Sequence, residues 1–198
     1  MALQPKELSK THPKLLLGEG REEEFFLTAI VGHLGLSNTI QVHYYGGKNN
    51  LRNFLKALPS RSDFDKLTSI GITRDADDNI DTAKQAVADA IQNANFRAEL
   101  SVSMHIFPDN SQAGALEALC LDAARQTAVW SCVESFEKCL LEKGIEQLSP
   151  TNRDKRLLHV WLSSLKEPWL RLGEAAKGNH IPFKNPAFTP LCDFLRNL

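Results

Sequence analysis

The chain has 198 residues, of which 42% are hydrophobic and 24% charged, a composition typical of a globular protein with one main core. No apolar run approaches the roughly 18 residues of a membrane span, and the polar N-terminus lacks the apolar segment of a secretory signal, so we expect no membrane association. The formal net charge of −1 excludes a strongly basic protein that binds nucleic acid through bulk charge.

The cysteines indicate the cellular compartment, and the first residues indicate where the fold begins. The four cysteines have no CxxC spacing, and three of them fall in predicted helices, where a thiol packs as a small apolar group. We therefore predict reduced thiols and a cytoplasmic protein. Residues 1–13 carry Pro5 and Pro13 and no apolar run, and we predict that they form a flexible tail.

Strand patterns alternate with helix patterns over the first part of the chain. Short apolar or β-branched runs at 14–20, 39–45, 67–74 and 101–108 predict strands. Apolar residues at helical spacing in 21–35, 46–58, 79–96 and 114–125 predict a helix after each strand. After residue 125 the strand signal fades, and helices are predicted at 127–144, at 154–165 and near the C-terminus.

This alternation predicts parallel strands joined by right-handed crossovers. We therefore expect an α/β, Rossmann-like fold with a central, mostly parallel sheet of about four strands flanked by helices. Residues 14–124 would form this core, and residues 125–198 a helical C-terminal part packed on it. Ligands of such sheets gather at the carboxyl ends of the strands.

Acidic residues follow several of the predicted strands. The candidates are Glu19 and Glu23 after the first strand, Asp75 and Asp77 after the third, and Asp109 and Glu117 after the fourth. Because parallel strands end at the same edge of a sheet, these carboxylates are expected to converge. Residues i and i+2 of an extended segment point the same way, so Asp75 and Asp77 would act together if the strand continues that far.

A cluster made only of carboxylates favours Mg²⁺, Mn²⁺ or Ca²⁺ over zinc, which prefers Cys and His. Each of these acidic residues could also have a structural role without any metal. Acidic residues at helix starts stabilise the helix dipole, and those in turns are often only solvated. We set Glu22, Glu24 and Asp81 aside as helix-start residues on this ground.

Three stretches, "LLLGEGREEEFF", "GITRDADD" and "FPDNSQAGALEAL", together resemble the Toprim fold shared by topoisomerases, primases and OLD-family nucleases. The third stretch resembles specifically the small stand-alone, OLD-like Toprim proteins of bacteria. The resemblance covers roughly Lys14 to Ala124 and assigns Glu19, Glu23, Asp75 and Asp77 to the metal-binding positions of the family.

The resemblance implies hydrolysis of DNA or RNA phosphodiesters with two Mg²⁺ or Mn²⁺ ions. Asp109 and Glu117 would be further metal-binding or supporting groups. OLD-type relatives also use a lysine after the acidic motifs, and Lys155 is the best-placed candidate, with Lys177 as its competitor. No topoisomerase activity is expected, because Tyr44 and Tyr45 end a predicted strand and leave no tyrosine nucleophile.

OLD-like relatives carry an ATPase fused to the Toprim part or encoded beside it. The resemblance therefore implies an ATPase partner protein and a role in defence against phage or foreign DNA. The oligomeric state stays open, a homo-oligomer included.

Two other functions fit parts of the pattern. A metal-binding Toprim scaffold without catalytic activity, acting as a regulatory or interaction subunit, would keep the same acids. A phosphatase or phosphoacceptor domain also clusters aspartates at a sheet edge, but it needs Asp after the first strand, where this chain has Glu19, and a Thr that "DADDN" lacks.

Overall fold

A parallel β-sheet organises the computed structural model, which describes residues 7–145 and 147–198. The strands are β1 (Lys14–Gly18), β2 (Ile40–Tyr44), β3 (Ser69–Asp75) and β4 (Ser101–Phe107). Their order across the sheet is β2-β1-β3-β4, and each neighbouring pair runs parallel. The predicted α/β class and the four-stranded parallel sheet are thereby confirmed, and the architecture is consistent with a Rossmann-like Toprim fold.

Helices cover both faces of this sheet. The first four are α1 (Arg21–His33), α2 (Leu51–Ala57), α3 (Ile80–Ala94) and α4 (Leu116–Ala124). The C-terminal part contributes α5 (Trp130–Glu142), α6 (Pro150–Ser163), α7 (Leu172–Lys177) and α8 (Thr189–Arg196). Helix α6 begins four residues earlier than expected, because Pro150 is well suited to the first turn of a helix. The sequence pattern did not predict α7.

The apolar core lies in two layers, one on each face of the sheet. In β1, Leu16 packs into one layer while Leu15 and Leu17 pack into the other, as the alternation of side chains along a strand requires. The layer on the Leu16 side includes residues of α1, α4 and the C-terminal helices. At Gly71 a methyl group would lie 3.0 Å from both Phe194 and Leu198, so the glycine allows the C-terminus to pack close to β3.

Residues 1–6 of the predicted flexible tail lie outside the described part of the chain. Within the rest of that range, Leu8 is buried, and the Ser9 N–H donates to Gln41 Oε1 at 2.8 Å. Among the described residues, no helix has the length and apolar character needed to cross a membrane.

Candidate functional site

The turn after β1 holds Glu19 and Glu23 against each other. The chain leaves β1 at Gly18 and enters α1 at Arg21, so Glu23 lies in the first helical turn. The Glu19 N–H donates to Glu23 Oε2 at 2.6 Å. The backbone N–H groups of Gly46 and Gly47 donate to the Glu19 carbonyl at 3.1 and 2.9 Å, which ties this turn to the chain after β2.

Glu23 is buried, with 7% of its surface exposed, and is surrounded by hydrogen-bonding groups. The Thr73 hydroxyl lies within hydrogen-bond distance of Glu23 Oε1 and also lies 3.1 Å from the Leu17 carbonyl oxygen. A hydroxyl has one hydrogen and cannot donate to both acceptors. If Glu23 is protonated, it donates to Thr73, and Thr73 donates to Leu17.

The electrostatics of Glu23 agree with this hydrogen-bond arrangement. Burial, and secondly the charge of Asp75, raises the pKa of Glu23 from 4.5 to about 8. Without a cation nearby, Glu23 is therefore mainly neutral at pH 7.

Asp75 is the last residue of β3, and its side chain reaches the first residue of α4. Its Oδ1 accepts a hydrogen bond from the Leu116 N–H at 2.9 Å, at the positive end of that helix. Burial, and secondly the charge of Glu117, raises the pKa of Asp75 from 3.8 to about 7. The charge of Asp75 in turn disfavours the ionised form of Glu23.

Asp77 takes a different position from the one that a continuing strand would give it. The strand ends at Asp75, and Asp77 has a φ of 51°, in the left-handed region. Asp77 exchanges two backbone hydrogen bonds of 2.8 Å with Gly114, and its side chain forms an ion pair with Lys48 at 3.0 Å. The charge of Asp77 still acts on Glu19 and Asp75, in each case raising the pKa.

These side chains lie around a cleft of about 560 Å³, which we call the acidic cleft. It is lined by Glu19, Glu22, Glu23, Asp75 and Glu117, by His159 and Arg171, and by Gly20, Gly47, Leu116 and Leu172. The structure thus brings together four of the predicted carboxylates, those of Glu19, Glu23, Asp75 and Glu117. Burial raises the pKa of Glu19, and the nearby Arg74 opposes this effect.

Three predicted site residues do not line the acidic cleft: Asp77, whose position is given above, Asp109 and Lys155. The carboxylate of Asp109 accepts hydrogen bonds from Ser111 and Gln112, which lower its pKa overall although its partial burial acts in the opposite direction. Lys155 is exposed on α6, one helical turn before His159, and does not line the cleft. Their catalytic or metal-binding roles stay predictions.

Arg171 and Glu22 are cleft residues that the motifs did not indicate. Arg171 precedes α7, and its Nη1 lies 3.8 Å from Glu22 Oε1, while Glu22 Oε2 accepts a weak hydrogen bond from the Gly173 N–H at 3.3 Å. A methyl group on Gly173 would lie 2.6 Å from Phe25 Cβ, so only glycine allows α7 to pack this close to α1. The small residues of α7 are the local signal for this contact, which joins segments 151 residues apart.

The donor set of the cleft fits a hard divalent cation in its chemistry. All of the acidic groups offer oxygen. A cation would offset the burial and, secondly, the carboxylate repulsion that raise the pKa values of Glu23 and Asp75. In residues 7–145 and 147–198, no three Asp, Glu, His or Cys side chains are arranged so as to hold a metal ion. Both Glu23 oxygens and one Asp75 oxygen take part in internal hydrogen bonds instead.

Two solved structures match this chain in a structural comparison. Both are the C-terminal region of the Xanthomonas campestris pv. campestris OLD protein, one phased with iodine and one with mercury. The first is 16% identical with a TM-score of 0.44, and the second is 15% identical with a TM-score of 0.45. Each match covers 94% of this chain and 95% of the other.

A comparison with curated proteins found no match. A family model described as "Protein of unknown function (DUF3226)" matches residues 13–198. Because this match spans nearly the whole chain, the protein belongs to the DUF3226 family.

Proposed function

We propose that this protein is a metal-dependent nuclease that hydrolyses phosphodiester bonds in DNA or RNA. The observation that carries the proposal is a pair of carboxylates, the buried Glu23 and the partly buried Asp75, held at the carboxyl edge of a parallel sheet beside an open cleft. Carboxyl groups with strongly raised pKa values cluster at functional sites, where burial and neighbouring charges tune them for their task. The acidic motifs that resemble those of Toprim nucleases supply these same residues.

In this proposal the cleft carboxylates Glu19, Glu23, Asp75 and Glu117, with Asp77 beside them, would hold Mg²⁺ or Mn²⁺. Their side chains would have to rearrange first, because no three of them are placed to hold an ion in the structure. The bound ions would supply Lewis-acid stabilisation of phosphoryl charge and a nucleophilic water at neutral pH. Ligand carboxylates must be ionised, so Glu23 and Asp75 release protons when they become ligands.

Arg171 provides the positive charge that a phosphodiester needs in this cleft. A guanidinium presents planar N–H donors that match the oxygens of a phosphate. Its present partner, Glu22, lies at 3.8 Å in a solvent-exposed ion pair, which is weak and exchangeable. A substrate phosphate would compete for Arg171 at little cost.

An OLD-like system with a separate ATPase partner, acting against phage or foreign DNA, is the setting that we propose for this activity. The chain holds the Toprim-like part of such a system. Co-purification of an ATPase with the tagged protein from its native cell would support this setting.

Cleavage assays test the proposed activity directly. The wild type, Glu19→Gln and Asp75→Asn are incubated with DNA, RNA and tRNA, with Mg²⁺ or Mn²⁺ and with a chelator. Asp89→Asn is the matched control, because it removes an exposed carboxylate on α3 outside the cleft. We expect metal-dependent cleavage that falls by at least about 100-fold in the two cleft variants and is unchanged in the control. Equal activity in all four proteins would reject the proposal.

A non-catalytic, metal-binding regulatory subunit is the second candidate. The present arrangement favours it over catalysis, because Glu23 and Asp75 bond internally and no three of the described side chains are set to hold a metal ion. Titrating Mg²⁺ into the chain distinguishes the two candidates. Binding without cleavage of any substrate would favour the regulatory subunit, and binding with cleavage would favour the nuclease.

A further inference from the structure

A second cavity, of about 690 Å³, lies on the other side of the first turns of α1. It is lined by the aromatic residues Phe25, Tyr44, Tyr45 and Phe54, by the cations Arg21, Arg61 and Lys177, and by Glu24, Thr28, His43, Asn50, Asn53 and Ala57. We call it the aromatic cavity. Its three cations against one carboxylate make it the electrostatic opposite of the acidic cleft.

The cations of the aromatic cavity lie over its aromatic rings. Lys177 Nζ lies 3.7 Å and the Arg21 guanidinium 5.5 Å from the centre of the Phe25 ring. The Arg61 guanidinium lies 4.4 Å from the centre of the Phe54 ring. Aromatic faces and cations side by side are the combination that binds bases and phosphates of nucleic acid strands.

Arg61 has a donor that the protein leaves unused. Its Nη1 is buried and has no hydrogen-bond partner among the described residues. A buried donor without a partner is costly, and a charged one more so. A phosphate oxygen in the cavity would supply the missing acceptor.

Tyr44 offers a free aromatic face. It ends β2 in register with Gly18, directly beside the turn that carries Glu19. The residue is partly exposed, and its ring stacks on no other ring or cation in the described part of the chain. A base that enters the cavity can therefore stack on Tyr44 without displacing another ring or a cation.

The aromatic cavity and the acidic cleft both adjoin the first turns of α1. Arg21, Glu24 and Phe25 line the cavity, whereas Glu22 and Glu23, on the same helical turns, line the cleft. Helix α7 repeats this division, with Leu172 at the cleft and Lys177 at the cavity. A strand with a phosphodiester in the cleft would pass a neighbouring nucleotide into the cavity.

We propose that the aromatic cavity binds an unpaired nucleotide, with its base on Tyr44 and its phosphate on Arg61, so that the substrate class is single-stranded nucleic acid. This inference rests on the proposed nuclease function and adds the substrate to it. A paired base is covered by its neighbours in the duplex and cannot enter such a cavity. The local cations also explain how a chain with a net charge of −1 holds a polyanion.

Binding in a chelator tests this inference apart from hydrolysis. Fluorescence anisotropy measures the affinity of the full chain for labelled single strands of about 12 nucleotides, as DNA and as RNA, and for the matching duplexes. The variants are Tyr44→Leu, Tyr44→Phe and Arg61→Gln. Arg125→Gln is the matched control, because Arg125 also lies over an aromatic ring, at 5.7 Å from Trp130, but outside the cavity.

We expect a single strand to bind at least about 10-fold more tightly than the duplex, and Tyr44→Leu and Arg61→Gln each to weaken this binding about 10-fold. Tyr44→Phe keeps the stacking face and should bind like the wild type, as should Arg125→Gln. Preference for DNA or RNA identifies the natural strand.

Equal affinity for single strand and duplex, or wild-type affinity in Tyr44→Leu, would overturn the inference. A free mononucleotide that competes as well as the single strand would also overturn it. Hydrolysis of the small substrate bis(p-nitrophenyl) phosphate with Mn²⁺ reports the acidic cleft alone. Selective binding of single strands without this hydrolysis would contradict the proposed nuclease function and support nucleotide binding in the aromatic cavity.

Discussion

Replacing Glu23 by Gln should stabilise the protein at neutral pH in the absence of metal. Glutamine has nearly the same shape and no charge. Its carbonyl oxygen can accept from the Glu19 N–H, and its amide can donate to Thr73, as protonated Glu23 does. The variant therefore keeps the hydrogen bonds of the neutral state and removes the need to take up a proton on folding.

The size of this effect follows from the raised pKa. Because the folded pKa of about 8 lies above the ordinary value of 4.5, the stability contributed by protonated Glu23 is fully present below pH 4.5 and is lost as the pH rises through about 8. A difference of one in pKa corresponds to about 1.4 kcal/mol. By linkage, the gain from glutamine is about 1 kcal/mol at pH 5, about 3 kcal/mol at pH 7 and at most roughly 5 kcal/mol above pH 8.

Urea unfolding of the wild type and Glu23→Gln at pH 5, 7 and 9, with a chelator present, measures this difference. The control is again Asp89→Asn, which should show no comparable growth with pH. A Glu23→Gln protein that is less stable than the wild type at pH 7, or a difference that is the same at pH 5 and pH 9, would refute the reasoning.

Three further predictions concern the acidic cleft, the contact between α1 and α7, and the start of α3. Mg²⁺ at ten times its Kd should stabilise the wild type by about 1.4 kcal/mol at pH 8, as measured by thermal unfolding. It should not do so at pH 5, because protons compete with the metal, nor in Glu23→Gln, because the variant lacks this carboxylate ligand. Gly173→Ala should cost roughly 2 kcal/mol in urea unfolding, since the new methyl would lie 2.6 Å from Phe25 Cβ; an unchanged midpoint would contradict the packing argument. Asn79→Ala should cost about 1 kcal/mol, because the Asn79 side chain accepts from the Thr82 N–H at 2.9 Å at the start of α3; Asn79→Asp should retain the cap.

The sheet was predictable because its strands are buried on both faces. Leu15, Leu16 and Leu17 form a continuous apolar run, which a strand covered on one side only would not need. The convergence of Glu19 with Asp75 was predictable for a second reason, since neighbouring parallel strands end at one edge of the sheet.

Contacts that depend on tertiary packing were not predictable in this way. Asp77 looked like the continuation of β3, but its hydrogen bonds with Gly114 turn the chain into the left-handed region. The short helix α7 has six residues, too few for a clear period, although it brings Arg171 to the acidic cleft. The cations of the aromatic cavity come from positions 21, 61 and 177. They form no local run of charge in the sequence, so the sequence pattern did not predict the cavity.

Binding of Mn²⁺, measured by electron paramagnetic resonance at pH 8, tests the central claim most directly. The account predicts that the wild type and Asp89→Asn bind Mn²⁺ with equal affinity, and that Glu19→Gln and Asp75→Asn bind it at least about 10-fold more weakly. No binding by the wild type, or equal binding by all four proteins, would contradict the claim that these carboxylates form a metal centre.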